Sequence, residues 1–137
     1  MKWPMQGFNT TASVDRPKLN KVTTVTAGRS LNSSILREYD IRGIVGATLV
    51  LDDVLAIGRG FGSVVANEFG QGARVAVGYD GRLSSPKLFS ALTDGLIQSG
   101  IKVINAGLGP TPMIYYASHY FKASGAIMVT GSHNPPE

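Results

Sequence analysis

Three short apolar runs, separated by longer segments of helical periodicity, restrict the possible folds of this chain more than any other feature of its sequence. Residues 74–79 (RVAVGY), 102–106 (KVINA) and 125–130 (GAIMVT) are rich in β-branched and small apolar residues, a composition typical of buried strands. Strands that alternate with helices at this spacing pair in parallel, with right-handed crossovers. The sequence therefore predicts a three-layer α/β/α domain with a largely parallel sheet, and a mixed sheet is the alternative.

Each predicted helix has a start signal and an apolar face. Asp52 or Asp53 is predicted to cap the first helix, Ser85 the second, and Thr111-Pro112 opens the third. The first two helices are predicted to end at Gly70 and Gly100. The residues predicted to face inward are Val54, Ile57, Phe61, Val64 and Val65, then Leu88, Leu92 and Leu96, then Ile114, Ala117 and either Tyr120 or Phe121.

The net charge of +4 is unevenly distributed along the chain. Residues 1–37 hold six basic side chains and one acidic one, whereas residues 38–137 hold seven basic and eight acidic ones. Residues 1–34 are also rich in Thr, Ser, Asn and Lys without hydrophobic periodicity, so we interpret them as a basic, flexible extension before a folded domain at 35–137. Because the charge belongs to this extension, nucleic-acid binding is not expected.

Two compositional features bear on location. The chain contains no cysteine, which excludes disulfides and thiolate metal sites and favours a cytoplasmic setting. No apolar run approaches the ~18 residues that a membrane-spanning helix needs, so no membrane association is expected.

Three polar or glycine-rich loops follow the predicted strands. They are residues 80–82 (DGR), 107–110 (GLGP) and 131–134 (GSHN). The carboxyl ends of parallel strands meet at one edge of the sheet, where ligands bind in open α/β folds. The sequence thus predicts a binding site at this edge.

The loop after the third strand carries the strongest chemical signal. Thr130, Ser132, His133 and Asn134 bring four polar side chains together, and Gly131 allows a sharp turn. A serine there could bear or receive a phosphoryl group, although an ordinary side-chain turn explains the spacing equally well. A serine-hydrolase elbow is excluded, since that motif requires a glycine two residues after the serine.

Other candidates have structural alternatives. Arg42, with Tyr39 beside it, suits phosphate recognition, but the sequence by itself slightly favours a surface pair with an aspartate. Asp80 and Arg82 are predicted to form a salt bridge that shapes the neighbouring loops. The glycines of residues 58–62 (GRGFG) lie within a helical pattern rather than after a strand, so close helix packing is favoured over dinucleotide binding.

Four segments, in order, resemble the α-D-phosphohexomutase family, and most closely its bacterial phosphomannomutase/phosphoglucomutase branch. They are residues 37–43 (REYDIRG), 77–82 (VGYDGR), 109–112 (GPTP) and 130–137 (TGSHNPPE), and together they extend over residues 36–137. The resemblance implies an isomerase that interconverts hexose 1-phosphate and hexose 6-phosphate, of glucose or mannose, through a bisphosphate intermediate.

The same resemblance implies roles for individual residues. Ser132 would be the phosphoserine nucleophile, and its phosphate would contribute to binding a Mg²⁺ cofactor. His133 would help to place the phosphosugar substrate beside it. Tyr39, Arg42 and Asn134 would bind that substrate. Asp80, Arg82 and Gly131 would support the loop.

The resemblance also has a limit. Family members have four domains, and this sequence matches only the first, which it is expected to leave incomplete at its C-terminus. We therefore expect the chain alone to lack most of the Mg²⁺ ligands and to be inactive, and an unpaired sheet edge to promote self-association. The alternative function is a catalytically incomplete module that binds sugar phosphates or a partner chain.

Overall fold

The computed structural model describes residues 31–132 and residue 134, all within one compact unit. Its three strands are β1 (Arg74–Tyr79), β2 (Lys102–Leu108) and β3 (Gly125–Val129). They form a parallel sheet in the order β2–β1–β3. The predicted parallel pairing is confirmed. Both strand pairs among the described residues are parallel, so the mixed alternative is not observed there. Neither β2 nor β3 has a second strand partner among the described residues, and self-association through such an edge stays a prediction.

Three helices cover the two faces of this sheet: α1 (Leu51–Phe69), α2 (Ser85–Gln98) and α3 (Thr111–Tyr120). Val75 and Val77 of β1 pack into one core with α1 and α2. Ala76, which points to the opposite face, packs with Ile114 and Ala117 of α3. The three-layer α/β/α architecture is therefore confirmed. No helix in the described part of the chain is long and apolar enough to cross a membrane.

Helices α1 and α2 approach each other through glycine. A Cβ on Gly58 would overlap the Leu92 carbonyl oxygen, and a Cβ on Gly95 would overlap the Leu55 carbonyl oxygen. Gly60, two residues after Gly58 on α1, instead faces open space. Two backbones this close exclude any side chain at the crossing, so the packing interpretation is confirmed for Gly58 and wrong for Gly60.

The predicted caps of α1 and α2 were wrong, whereas α3 begins at Thr111 as predicted. Helix α1 begins at Leu51, and Asp53 lies within its first turn, where Oδ2 accepts a hydrogen bond from the Val50 N–H at 3.1 Å. Ser85 is the first residue of α2 and not its cap. Its hydroxyl donates to the carboxylate of Asp80, an anionic acceptor that makes a strong, charge-assisted hydrogen bond.

Two residues of α1 that were predicted to face inward, Phe61 (36% exposed) and Val64, are exposed. Val64 is 61% exposed, because the buried stripe of α1 passes through Gly58, Gly62 and Val65 instead. Tyr120 is half-exposed, and Phe121 is the aromatic residue that packs against the α3 core.

The strand ends and the chain start differ slightly from expectation. Strand β2 continues two residues beyond the predicted Ala106, and β3 ends at Val129. A short 3-10 helix, Ser33–Ile35, precedes the first loop and buries Ile35 completely. Residues 1–30 of the predicted extension lie outside the described residues.

Candidate active site

The candidate site lies at the carboxyl ends of β1 and β3. In the order β2–β1–β3 the chain leaves β1 toward one side of the sheet and later returns to pair on its other side. The crevice at such a reversal is where open α/β sheets bind ligands. The Asp80 N–H donates to the Val129 carbonyl at 3.0 Å, and the Gly109 N–H donates to the Tyr79 carbonyl at 3.0 Å. The predicted convergence of the three loops is thus confirmed.

The Asp80 carboxylate is the centre of the hydrogen bonds at this edge. Oδ1 accepts from the Arg82 backbone N–H at 3.2 Å and from the Ser85 hydroxyl. Oδ2 accepts from the Gly131 N–H at 2.7 Å. The Thr130 side chain also hydrogen-bonds to this carboxylate. One anion therefore ties the loop after β1 to the loop after β3 and to the start of α2.

These contacts set the protonation state of Asp80. Burial by itself raises the pKa of this carboxyl group. Hydrogen bonds from the Ser85 hydroxyl, the Gly131 and Arg82 backbone N–H groups and the Thr130 hydroxyl outweigh that effect and lower the pKa below its ordinary value. Asp80 is consequently an anion at neutral pH, able to accept from all four donors.

Arg82 closes the loop from the other side. Its Nε lies 3.5 Å from Asp80 Oδ2, so the predicted salt bridge is present. Its Nη2 donates to the Asn134 carbonyl oxygen at 2.6 Å. The guanidinium lies where a Cβ of Gly131 would be. One side chain thus connects β1 to both ends of the 131–134 turn.

Ser132 adopts an unusual backbone conformation within that turn. Its φ of +52° places it in the left-handed region, which costs a residue with a Cβ about 1 kcal/mol. The Ser132 N–H donates to Thr130 Oγ1 at 2.9 Å, and the Asn134 N–H donates to the Gly131 carbonyl at 3.0 Å. Surrounding hydrogen bonds therefore hold an exposed serine in a sharp turn at the sheet edge.

Arg42 lies in a cavity of about 260 Å³ next to this turn. The residues that line it are Ser34, Arg37, Arg42, Gly43, Ile44, Thr48 and Asn134. Arg42 Nε donates to Asp40 Oδ2 at 2.8 Å, so the surface pair is present, and its backbone N–H donates to the Ile35 carbonyl at 2.9 Å. Arg42 and Asn134 thus line the same cavity, as expected of two residues that belong to one site.

One other predicted site residue is not brought to the cavity. Tyr39 is 95% exposed and does not line it. His133 lies outside the described residues. In the described part of the chain, no cluster of three His, Asp or Glu side chains could hold a metal ion.

Three residues of the site received no role from the sequence. Ser85 is only 2% exposed and fixes Asp80, whereas the sequence suggested a helix cap. The sequence places Thr130 in the polar loop but indicates no function for it. Arg37 precedes Arg42 by five residues, a spacing that is visible in the sequence but predicts no role by itself.

Comparisons with known proteins agree on one family. Residues 33–137 match the family model described as phosphoglucomutase/phosphomannomutase, alpha/beta/alpha domain I. The chain is 46% identical over 109 residues to a phosphomannomutase/phosphoglucomutase of Pseudomonas aeruginosa, and equally identical to a phosphoglucomutase of Neisseria gonorrhoeae. Each match covers 79% of this chain and 23% of the relative.

A solved structure is similar as well. It is a phosphoglucomutase/phosphomannomutase family protein from Burkholderia thailandensis, with 43% sequence identity and a TM-score of 0.70, covering 78% of this chain and 25% of that one. The chain thus spans about a quarter of the length of the relatives it matches. It belongs to the phosphoglucomutase/phosphomannomutase family, with residues 33–137 matching the family's α/β/α domain I.

Proposed function

We propose that this chain supplies the phosphoryl-carrying serine of an intramolecular phosphotransferase that interconverts hexose 1-phosphate and hexose 6-phosphate, with glucose or mannose as the sugar. One observation gives this proposal its main support. Ser132 is held exposed in a left-handed turn at the β1/β3 crevice, in a chain whose relatives are named as mutases.

The proposed chemistry consists of two transfers that use the same serine. In the first, the bond between phosphorus and Ser132 Oγ breaks, a bond to the sugar O6 forms, and the O6 proton ends on Ser132 Oγ. The resulting hexose 1,6-bisphosphate reorients. In the second, the 1-phosphoryl group moves to Ser132 Oγ, the serine proton ends on the sugar O1, and hexose 6-phosphate is released. The phosphoserine is regenerated in each cycle.

The cavity beside the turn suits the phosphate that is not being transferred. Arg37 and Arg42 both line it, and a guanidinium can donate two parallel hydrogen bonds to phosphate oxygens. None of the described residues that line the cavity is acidic. We assign substrate binding to Arg42 and Asn134, and propose the same for Tyr39 and a placing role for His133.

Asp80, Arg82 and Gly131 act through the loop in this proposal. The Asp80 carboxylate receives the Gly131 N–H at 2.7 Å, and Arg82 holds the Asn134 carbonyl. In this way the position of the Ser132 hydroxyl is fixed before the substrate arrives. Such preorganisation accounts for much of an enzyme's rate acceleration.

A Mg²⁺ ion fits only in part. Ser132, once phosphorylated, would offer it a phosphate oxygen, and such an ion would offset the charge of the transferring group. The described residues offer no cluster of acidic side chains to complete its coordination. We therefore expect the 137-residue chain to be inactive by itself and the turnover to require further ligands.

A chimaeric mutase tests the proposal. Residues 33–137 would replace the matching segment of the Pseudomonas aeruginosa relative, and glucose 1-phosphate and mannose 1-phosphate would be assayed as substrates. We expect turnover that is abolished by Ser132→Ala. Ser63→Ala is the matched control, because Ser63 is an exposed serine on α1 whose hydroxyl donates to the Arg59 carbonyl. Full activity of Ser132→Ala would refute the proposal.

The cavity also favours a second candidate function, a module that binds sugar phosphates or a phosphorylated partner without catalysis. Two arginines that line one cavity could contribute to binding an anion without any of the transfer chemistry. Calorimetry of the 137-residue chain with hexose phosphates tests it. Binding that weakens in Arg42→Ala, together with an inactive chimaera, would favour this second function, whereas flat isotherms would remove it.

A further inference from the structure

We propose that Thr130 is a positioning residue, whose hydroxyl links the Asp80 carboxylate to the backbone N–H of Ser132 and thereby holds the nucleophile in its left-handed conformation. The role in catalysis rests on the proposed function of Ser132, whereas the role in holding the turn does not.

The Thr130 hydroxyl makes two hydrogen bonds of opposite sense. It hydrogen-bonds to the Asp80 carboxylate, and Oγ1 accepts from the Ser132 N–H at 2.9 Å. A hydroxyl has one proton to donate. Since a carboxylate can only accept, that proton points to Asp80, and an oxygen lone pair is left for the Ser132 N–H. Donation to an anion also makes the oxygen a better acceptor.

Asp80 is a rigid starting point for this link. It follows β1, the central strand, and its Oδ1 and Oδ2 are already fixed by the buried Ser85 hydroxyl and the Gly131 N–H. A carboxylate with these partners cannot turn away from Thr130 without breaking several hydrogen bonds. The position of the Thr130 hydroxyl is therefore set by the core of the sheet and not by the loop.

Ser132 needs such support because its conformation is unfavourable. A φ of +52° at the second residue of a four-residue turn is usual for Gly, Asn or Asp and uncommon for Ser. The hydrogen bond from the Asn134 N–H to the Gly131 carbonyl closes the turn but does not touch the Ser132 backbone N–H. The Thr130 hydroxyl does, so it acts directly on the residue that carries the unfavourable φ.

Two substitutions at one position separate the hydroxyl from the rest of the side chain. Thr130→Val keeps the β-branched shape and removes the hydroxyl, and Thr130→Ser keeps the hydroxyl. In the 137-residue chain we expect the Ser132 amide proton to exchange faster with solvent in Thr130→Val and to stay near the wild-type rate in Thr130→Ser. In the chimaeric mutase we expect kcat to fall about 10- to 100-fold in Thr130→Val, with little change in KM, and to recover in Thr130→Ser.

Thr93→Val is the matched control. Thr93 lies on α2 and its hydroxyl also bonds the backbone, at 2.9 Å from the Ser90 carbonyl, so it reports the general cost of losing a threonine hydroxyl. We expect neither the exchange rate of Ser132 nor kcat to change in this variant.

The outcomes discriminate clearly. An unchanged rate of Ser132 amide exchange in Thr130→Val would overturn the inference. An equal loss of kcat in Thr130→Ser and Thr130→Val would also overturn it, because only Thr130→Val lacks the hydroxyl. This second comparison can be made even if Thr130→Val impairs folding. Faster Ser132 exchange in Thr130→Val with an inactive wild-type chimaera would support the positioning of the turn and refute the proposed function instead.

Discussion

The guanidinium of Arg82 occupies the space where a side chain on Gly131 would begin. It is held there by the Asp80 carboxylate, 3.5 Å from Nε, and by the Asn134 carbonyl, 2.6 Å from Nη2. Gly131 is therefore required by its neighbour and not by a left-handed backbone, since its φ is not among the positive values in this region. Gly131 and Arg82 therefore pack as one unit.

Gly131→Ala should consequently damage the turn through Arg82. The new methyl group forces the guanidinium out, which breaks its contacts with Asp80 and Asn134, and we expect the chimaeric mutase to lose activity about tenfold or more. Arg82→Ala opens the space, so the double variant should lose less than the sum of the two single variants in free energy. Strict additivity in the double-mutant cycle would contradict the contact.

The lowered pKa of Asp80 predicts a pH dependence of stability. A carboxyl whose pKa is lower in the folded than in the unfolded state stabilises the fold above its unfolded pKa, ordinarily 3.8, and loses that contribution as the pH falls through the folded pKa. The difference in free energy of unfolding between wild type and Asp80→Asn should thus be greatest near neutral pH and shrink in acid. Urea unfolding from about pH 2 to pH 7 measures it. A difference that does not change with pH would contradict the lowered pKa.

The crossing of α1 and α2 predicts opposite effects for two neighbouring glycines. Gly58→Ala forces the helices apart at the Leu92 carbonyl and should destabilise the protein by about 1–3 kcal/mol. Gly60→Ala, on the same helix but facing open space, should stabilise it by about 0.5–1 kcal/mol, because alanine has the higher helix propensity. Denaturant unfolding of both variants checks this, and equal effects would show that the helices do not cross at Gly58.

Arg42 should contribute to binding of the substrate phosphate. A hydrogen bond to a charged group is worth about 1.5–3 kcal/mol, so Arg42→Ala should raise the KM for glucose 1-phosphate about 10- to 100-fold in the chimaeric mutase. Arg59→Ala is the control, since Arg59 Nε donates to Gln98 Oε1 at 2.7 Å between α1 and α2, on another part of the molecule. A KM that responds equally to both changes would argue for general electrostatics rather than a site.

The sequence predicted the central strand β1 well because β1 is buried on both faces. Val75, Ala76 and Val77 are completely buried, and such a run has few alternatives to a central strand. The inward face of α1 was predicted less well. Apolar periodicity favours large residues such as Val64, whereas the helix packs through Gly58 and Gly62, and a glycine contributes nothing to a hydrophobic pattern.

The site was predictable as a set of loops but not as a network. The strand order brings the Gly131 N–H within 2.7 Å of Asp80 Oδ2, although the two residues are 51 positions apart in the sequence. No spacing pattern in a single sequence predicts a contact over that separation. The role of Ser85 was hidden for the same reason, since a serine before Pro86 resembles a helix cap. The resemblance to phosphohexomutases predicted a role for Ser132, and the structure adds the contacts that hold its turn.

The most direct measurement is the fate of the phosphoryl group itself. The chimaeric mutase would be incubated with hexose 1,6-bisphosphate labelled in its phosphates, then digested and mapped by mass spectrometry, with Ser132→Ala in parallel. We expect one labelled serine, Ser132, in the active protein and no label in Ser132→Ala. A label on another residue, or catalytic turnover that persists in Ser132→Ala, would contradict it.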